Sequence, residues 1–129
     1  MKQFNRELGK IGENEAASYL GKKGYRVLER NYYTRFGEID LICAHSNSSG
    51  QERLVFVEVK LKQGEDFGTP EEMIDKRKLS QAERMANFYL MANPQISEKY
   101  SSFSIDAVCI VVDENRRVKR LNHYENLTF

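Results

Sequence analysis

Residues 54–61 read Leu-Val-Phe-Val-Glu-Val-Lys-Leu, an apolar β-branched run interrupted by two opposite charges. Alternate side chains of a strand share a face, so Glu58 and Lys60 point one way while Val55, Val57, Val59 and Leu61 point the other. Burying a carboxylate and an ammonium is costly unless each finds a partner, a metal or a cleft. The preceding run, Gly-Glu-Ile-Asp-Leu-Ile-Cys-Ala at 37–44, repeats the pattern: Glu38 and Asp40 fall on one face, Ile39, Leu41 and Cys43 on the other. If the two runs pair as a hairpin, Asp40 and Glu58 come side by side. Adjacent carboxylates repel unless a cation sits between them, and hard oxygen donors suit Mg²⁺ or Mn²⁺ better than zinc. Lys60 beside them can act on an attacking water or on a phosphate, so the set fits metal-assisted phosphodiester hydrolysis. A charge pair on a solvated sheet face gives the same alternation, and that reading stays open on these residues alone.

Other residues qualify this picture. Glu13 falls beside Leu20 on the flank of an apolar helical stripe, where it can form a cleft wall or be an ordinary boundary glutamate. Lys78 falls between Met85 and Tyr89 on a second helix and can either snorkel to water or reach a phosphate. Lys76-Arg77-Lys78 and Arg116-Arg117-x-Lys119-Arg120 are short basic clusters that suit phosphates or plain solvation. Asp106 shares the parity of Val108 and Ile110 and can cap a neighbouring backbone group or approach the site from the fourth strand, the structural role being the one expected. His45 and His123 lack a second ligand at zinc spacing. Tyr32, Tyr33 and Phe36 precede the acidic strand and are candidates for stacking on an unpaired base or for covering a core edge.

The elements that must position these groups follow from periodicity. Leu8, Ile11, Ala16, Tyr19 and Leu20 recur at helical spacing, predicting a helix over 4–23 closed by Gly24, with Glu15 a misfit in its stripe. Strands are expected at 25–31, 37–44 and 54–61, with a turn at 34–36 and a polar connection at 45–53. Thr69-Pro70-Glu71-Glu72 reads as the capped start of a long helix reaching about Ala92, where Asn93-Pro94 stops it. Its stripe is Leu79, Ala82, Met85, Ala86 and Tyr89. Strands at 103–112 and 116–123 complete an α-β-β-β-α-β-β order, which predicts an α/β fold with a mixed central sheet flanked by a helix on each face.

Composition bounds the class. The 129 residues suffice for one domain, expected to span 1–129, and 40% hydrophobic content supports a core. Lys and Arg total 20 against 19 acids, so a nucleic-acid site must come from charge arrangement and not from net charge. No apolar run follows the first residues, so neither a signal peptide nor a membrane span is expected and the location is read as cytoplasmic. Cys43 and Cys109 lie among apolar residues and are expected to be packing thiols.

Gly9-x-x-Gly12-Glu13-x-x-Ala16-x-x-Tyr19-Leu20, then Gly24-Tyr25, Asn31, the GEIDLI block from Gly37 and the VFVEVK block from Val55, resemble the YraN family of bacterial proteins. That family belongs to the PD-(D/E)xK nuclease superfamily. The resemblance covers nearly the whole chain and implies a restriction-endonuclease-like α-β-β-β-α-β core, Mg²⁺ or Mn²⁺ as cofactor, and DNA as substrate and partner, branched DNA in the manner of Holliday-junction resolvases. It implies that Asp40 is the motif aspartate and that Glu58 and Lys60 are the E-x-K. The Val59 carbonyl becomes a further metal ligand and Glu13 the helix glutamate completing the site. Lys78 matches a lysine of the family's second helix and, with Lys62 and Arg77, is expected on the nucleic acid. By analogy with resolvases, a homodimer would place two sites on two strands. Ile39 replaces the proline of the superfamily's name, and Leu61-Lys62 stand where the family usually has threonine and arginine. The alternative function is a non-catalytic nucleic-acid-binding module, or a partner protein in DNA processing, that keeps the fold.

Overall fold

The computed structural model describes residues 2–127, with side chains from residue 5 onward. Met1, Thr128 and Phe129, the ends of the expected domain, lie outside the described residues. The first element, α1 (Lys2–Lys22), buries Ala16, Ala17 and Leu20. Glu15, the misfit of its stripe, is exposed to water. Strands β1 (Arg26–Thr34), β2 (Gly37–Ser46) and β3 (Glu52–Gln63) follow as an antiparallel meander. At the β1–β2 turn Gly37 has φ of 146°, and a Cβ there would lie 2.8 Å from the Gln81 amide nitrogen, which donates to the Phe36 carbonyl. Glycine therefore lets the hairpin tip close onto the helix that follows.

The expected long second helix is divided. Thr69 caps only the short 3₁₀ turn at Pro70–Met73. Ile74 then leaves helical geometry at ψ 73°, and Asp75 starts α2 (Lys76–Ala92) by accepting from the Lys78 amide at 2.8 Å. Asn93-Pro94 does end that helix, but the proline also opens a short α3 (Pro94–Lys99), since its fixed φ suits a first turn. The chain returns as β4 (Ser102–Val112) and β5 (Val118–Tyr124). The last strand starts two residues later than expected because the Asp113 carboxylate takes the Asn115 and Arg117 amides into a turn.

The sheet order is β1-β2-β3-β4-β5, antiparallel throughout except for parallel β3 and β4. This is a mixed sheet flanked by helices, the arrangement of a restriction-endonuclease-like core. One face packs Val55, Val57, Val59, Leu41, Cys43, Val108 and Ile110 against α1. The other packs Ile42, Ala44, Leu54, Phe56 and Ile105 against Ala82, Met85, Ala86 and Tyr89 of α2. Burial on both faces explains why β3 and β4 read as near-continuous apolar runs. Cys43 and Cys109 are buried and unbridged. Among the described residues, no helix is long and apolar enough to cross a membrane.

Candidate metal centre

The acids meet where β2 and β3 part. The antiparallel ladder between these strands ends at Leu41 opposite Val57. The next Val59 amide on that edge, left without a backbone partner, donates instead to Asp40 Oδ2 at 2.8 Å. Backbone groups of one strand residue face the same edge, so the Val59 carbonyl also looks into the gap, beyond the last rung.

Asp40 reaches that position because the alternation of its strand is interrupted, which the sequence reading did not anticipate. Ile39 packs with the α2-side cluster while Leu41 packs on the α1 side, although the two were expected on one face. The cause lies opposite, at Asn31, whose φ of 54° is left-handed. Around it Arg30 turns to Asn14 of α1 at 2.9 Å, whereas Tyr32 stacks edge-on against Tyr89 of α2. The paired kink at Asn31 and Asp40 leaves the Asp40 carboxylate between the two faces.

Glu13 arrives from α1 through a close approach. Gly12 lies so near β3 that an added Cβ would stand 3.2 Å from Leu61 Cβ and 3.5 Å from a Val59 methyl. Carboxylate oxygens of Glu13, Glu38 and Asp40 consequently fall within 4.8 Å of one another. Glu38 was not assigned to the site from the sequence. Its signal was the acid two positions before Asp40, but that spacing alone did not separate it from an exposed strand residue.

Glu58 is 3% exposed. Its Oε2 receives Lys78 Nζ at 3.5 Å, and its Oε1 is buried with no hydrogen-bond partner among the described residues. Burial, reinforced by the Asp40 charge and opposed by Lys78 and Lys60, pushes its carboxyl up to about 7. Burial likewise pushes Asp40 up to about 6, against the stabilising Val59 amide and with added repulsion from Glu38. Glu38 is raised by desolvation and by Glu13. The Lys60 charge lowers Asp40, Glu58 and Glu38 alike, so it acts on all three carboxyls.

These residues fit a hard divalent cation. Glu13, Glu38 and Asp40 form the group within 4.8 Å, Glu58 is not one of these three but acts on Asp40 through its charge, and these oxygens with the Val59 carbonyl could hold Mg²⁺ or Mn²⁺. Of the expected nucleic-acid contacts, Lys78 is directed at Glu58, Lys62 Nζ lies 3.5 Å from the Phe67 carbonyl, and Arg77 is exposed at the start of α2.

A second mixed cluster, Asp106, His123 and Glu125, is occupied by protein donors. Asp106 accepts from the Asn126 amide at 2.9 Å and the Ser104 hydroxyl at 3.3 Å, and pairs with His123 Nε2 at 2.8 Å. Glu125 accepts from Tyr25 at 3.1 Å and Arg53 at 3.3 Å. Asp106 is thus the backbone cap expected of it.

Residues 12–110 match the family described as "Uncharacterised protein family UPF0102". The chain belongs to that family. A UPF0102 protein of Syntrophomonas wolfei is 42% identical over 123 residues, covering 95% of this chain and 98% of its own. One from Pelotomaculum thermopropionicum is 41% identical over 119 residues, covering 92% of each chain. One from Persephonella marina is 43% identical over 100 residues, or 78% of this chain and 81% of its own. UPF0102 is the family to which the GEIDLI and VFVEVK blocks pointed under the name YraN.

Proposed function

We propose that this protein is a Mg²⁺- or Mn²⁺-dependent endonuclease that hydrolyses DNA phosphodiester bonds. The observation that carries the reading is the cluster of Glu13, Glu38 and Asp40 carboxylates within 4.8 Å, with the buried Glu58, whose Oε1 has no partner among the described residues, and the Lys60 charge acting on the same acids. A scaffold gains nothing from such a set, since each buried carboxylate destabilises the fold it sits in. When bound, the divalent ion supplies positive charge at the scissile phosphate. Asp40, Glu58, Glu13 and the Val59 carbonyl are its donors, and Glu38 joins them.

The protein's own groups do the rest. The Lys60 ammonium hydrogen-bonds a non-bridging phosphate oxygen and offsets the charge that grows there as water adds to phosphorus and the ester P–O bond breaks. Lys78 offsets part of the burial that raises Glu58 and orients its carboxylate. The resemblance to the resolvase-like nucleases favours branched DNA as the substrate.

The test is incubation of the purified protein with supercoiled, single-stranded and four-way-junction DNA in Mg²⁺, Mn²⁺ or EDTA, beside Glu58→Ala and Lys60→Ala. Cleavage in metal should fall at least about a hundredfold in either variant, the scale of losing a pre-positioned charge-stabilising group. Cutting that survives EDTA or both substitutions overturns the reading. Binding without cutting identifies a nucleic-acid-binding module instead.

A further inference from the structure

Beyond the acids, on the side away from α2, a cleft of about 760 Å³ opens between α1 and β1. Its walls carry Arg6, Lys10 and Asn14 from the helix and Arg30, Asn31 and Tyr33 from the strand, and it ends at Glu13 and Glu38. Of these residues only Tyr33 stands out in the sequence as a candidate for nucleic acid; the basic candidates there lie on α2, β3 and β5.

Three features make this cleft a track and not a featureless hollow. Arg6 and Lys10 are one helical turn apart on one face of α1, in line with Glu13 and Asn14. Both are exposed, and neither makes an ion pair among the described residues. Glu7, the acid on the same wall, is taken by Arg116 at 3.2 Å, so the mouth of the cleft is left positive. Tyr33 is 70% exposed and stands opposite Glu38 in the β1–β2 pairing, presenting a ring at the acid end.

We infer that this cleft binds a short stretch of single-stranded DNA and leads it to the acid group, so that the preferred substrate carries an unpaired arm beside the scissile phosphate. The inference rests on the nuclease reading and adds the substrate's form to it. A row of cations for the backbone with an aromatic ring for a base is the recurring plan of single-strand grooves. A ring can stack on a base only where the base is out of the duplex, and a cleft of this size takes part of one strand and not a double helix. An acidic peptide could use the cations but not the ring.

Fluorescence anisotropy with labelled dT12 and with a 12-base-pair blunt duplex, in Ca²⁺ to balance the acids, tests it. Arg6→Glu/Lys10→Glu is expected to bind dT12 about tenfold more weakly, with a salt dependence shallower by about 1.4 units of slope for two lost phosphate contacts. Tyr33→Ala should lose at least about fivefold, the low end for one stacked base. Duplex affinity should change less than about twofold in each. The control Arg84→Glu/Lys99→Glu, on exposed positions of α2 and α3, changes net charge equally and should bind as wild type. Equal losses in the control, unchanged dT12 binding in the cleft variants, or displacement of dT12 by polyglutamate as readily as by unlabelled dT12 overturns the assignment. If wild type neither binds nor cuts any oligonucleotide, the nuclease reading falls with it. If wild type cuts DNA while the cleft variants match it on dT12, only the cleft assignment falls.

Discussion

Glu58 is the residue at which stability and function pull apart. A carboxyl whose pKa is raised by folding holds more protons in the folded than in the unfolded state between its two values. For Asp40 and Glu58 that window runs from about 4 to about 7, so the metal-free protein should lose stability as pH rises through it. Glu58→Gln removes the buried charge and keeps the shape. At pH 8 without metal it should melt higher than wild type, by the equivalent of about 1–3 kcal/mol, while Mn²⁺ should no longer raise its melting point. Thermal melts with and without EDTA read both effects. Mn²⁺ must compete with protons for these carboxylates, so calorimetry should show affinity increasing from pH 5 to pH 8 and protons released on binding. In Lys78→Ala one of the two cations that lower Glu58 is gone, and the rise in affinity should move to higher pH.

At the scale of elements, the site depends on a kink more than on any regular strand. Asn31 tolerates its left-handed conformation because a short polar side chain pays little there, whereas a β-branched residue is strained. Asn31→Gly should keep Mn²⁺ affinity within about twofold of wild type. Asn31→Val should destabilise by about 1–2 kcal/mol and weaken Mn²⁺ binding, because the alternation that it restores turns Asp40 away from Val59. Calorimetry on the two variants separates the backbone effect from the side chain. This kink also marks what could be read in the sequence. Asp40, Glu58 and Lys60 were visible because charges stood out against apolar residues, and the strands were legible from alternation in β1 and β2, from apolar runs in β3 and β4, and from the turn before β5. Periodicity assumes an unbroken strand, so Ile39 was put on the wrong face and Glu38 was left out. The break at Ile74 was hidden because Thr69-Pro70 and Asp75 are each valid caps and only packing decides between them. The α1–β1 cleft joins residues 6–14 to residues 30–38, a juxtaposition that no local pattern encodes.

For the whole molecule, an ion bound only by the folded chain should act as a stabilising ligand. At a hundredfold excess over its dissociation constant, Mn²⁺ should add about 2.7 kcal/mol and raise the melting temperature by roughly 10 °C for a domain of this size. Excess chelator should reverse the shift, and the absence of any shift in wild type would argue against a metal centre. The parallel pairing of β3 with β4 has a further consequence for biosynthesis. Glu13, Glu38, Asp40, Glu58 and Lys60 all leave the ribosome within the first half of the chain, yet Val57 pairs with Asp106, 49 positions later. Contacts so distant in sequence close late. A nascent chain therefore carries every proposed cation donor long before it has the scaffold to converge them, and the pocket matures only when translation is nearly finished.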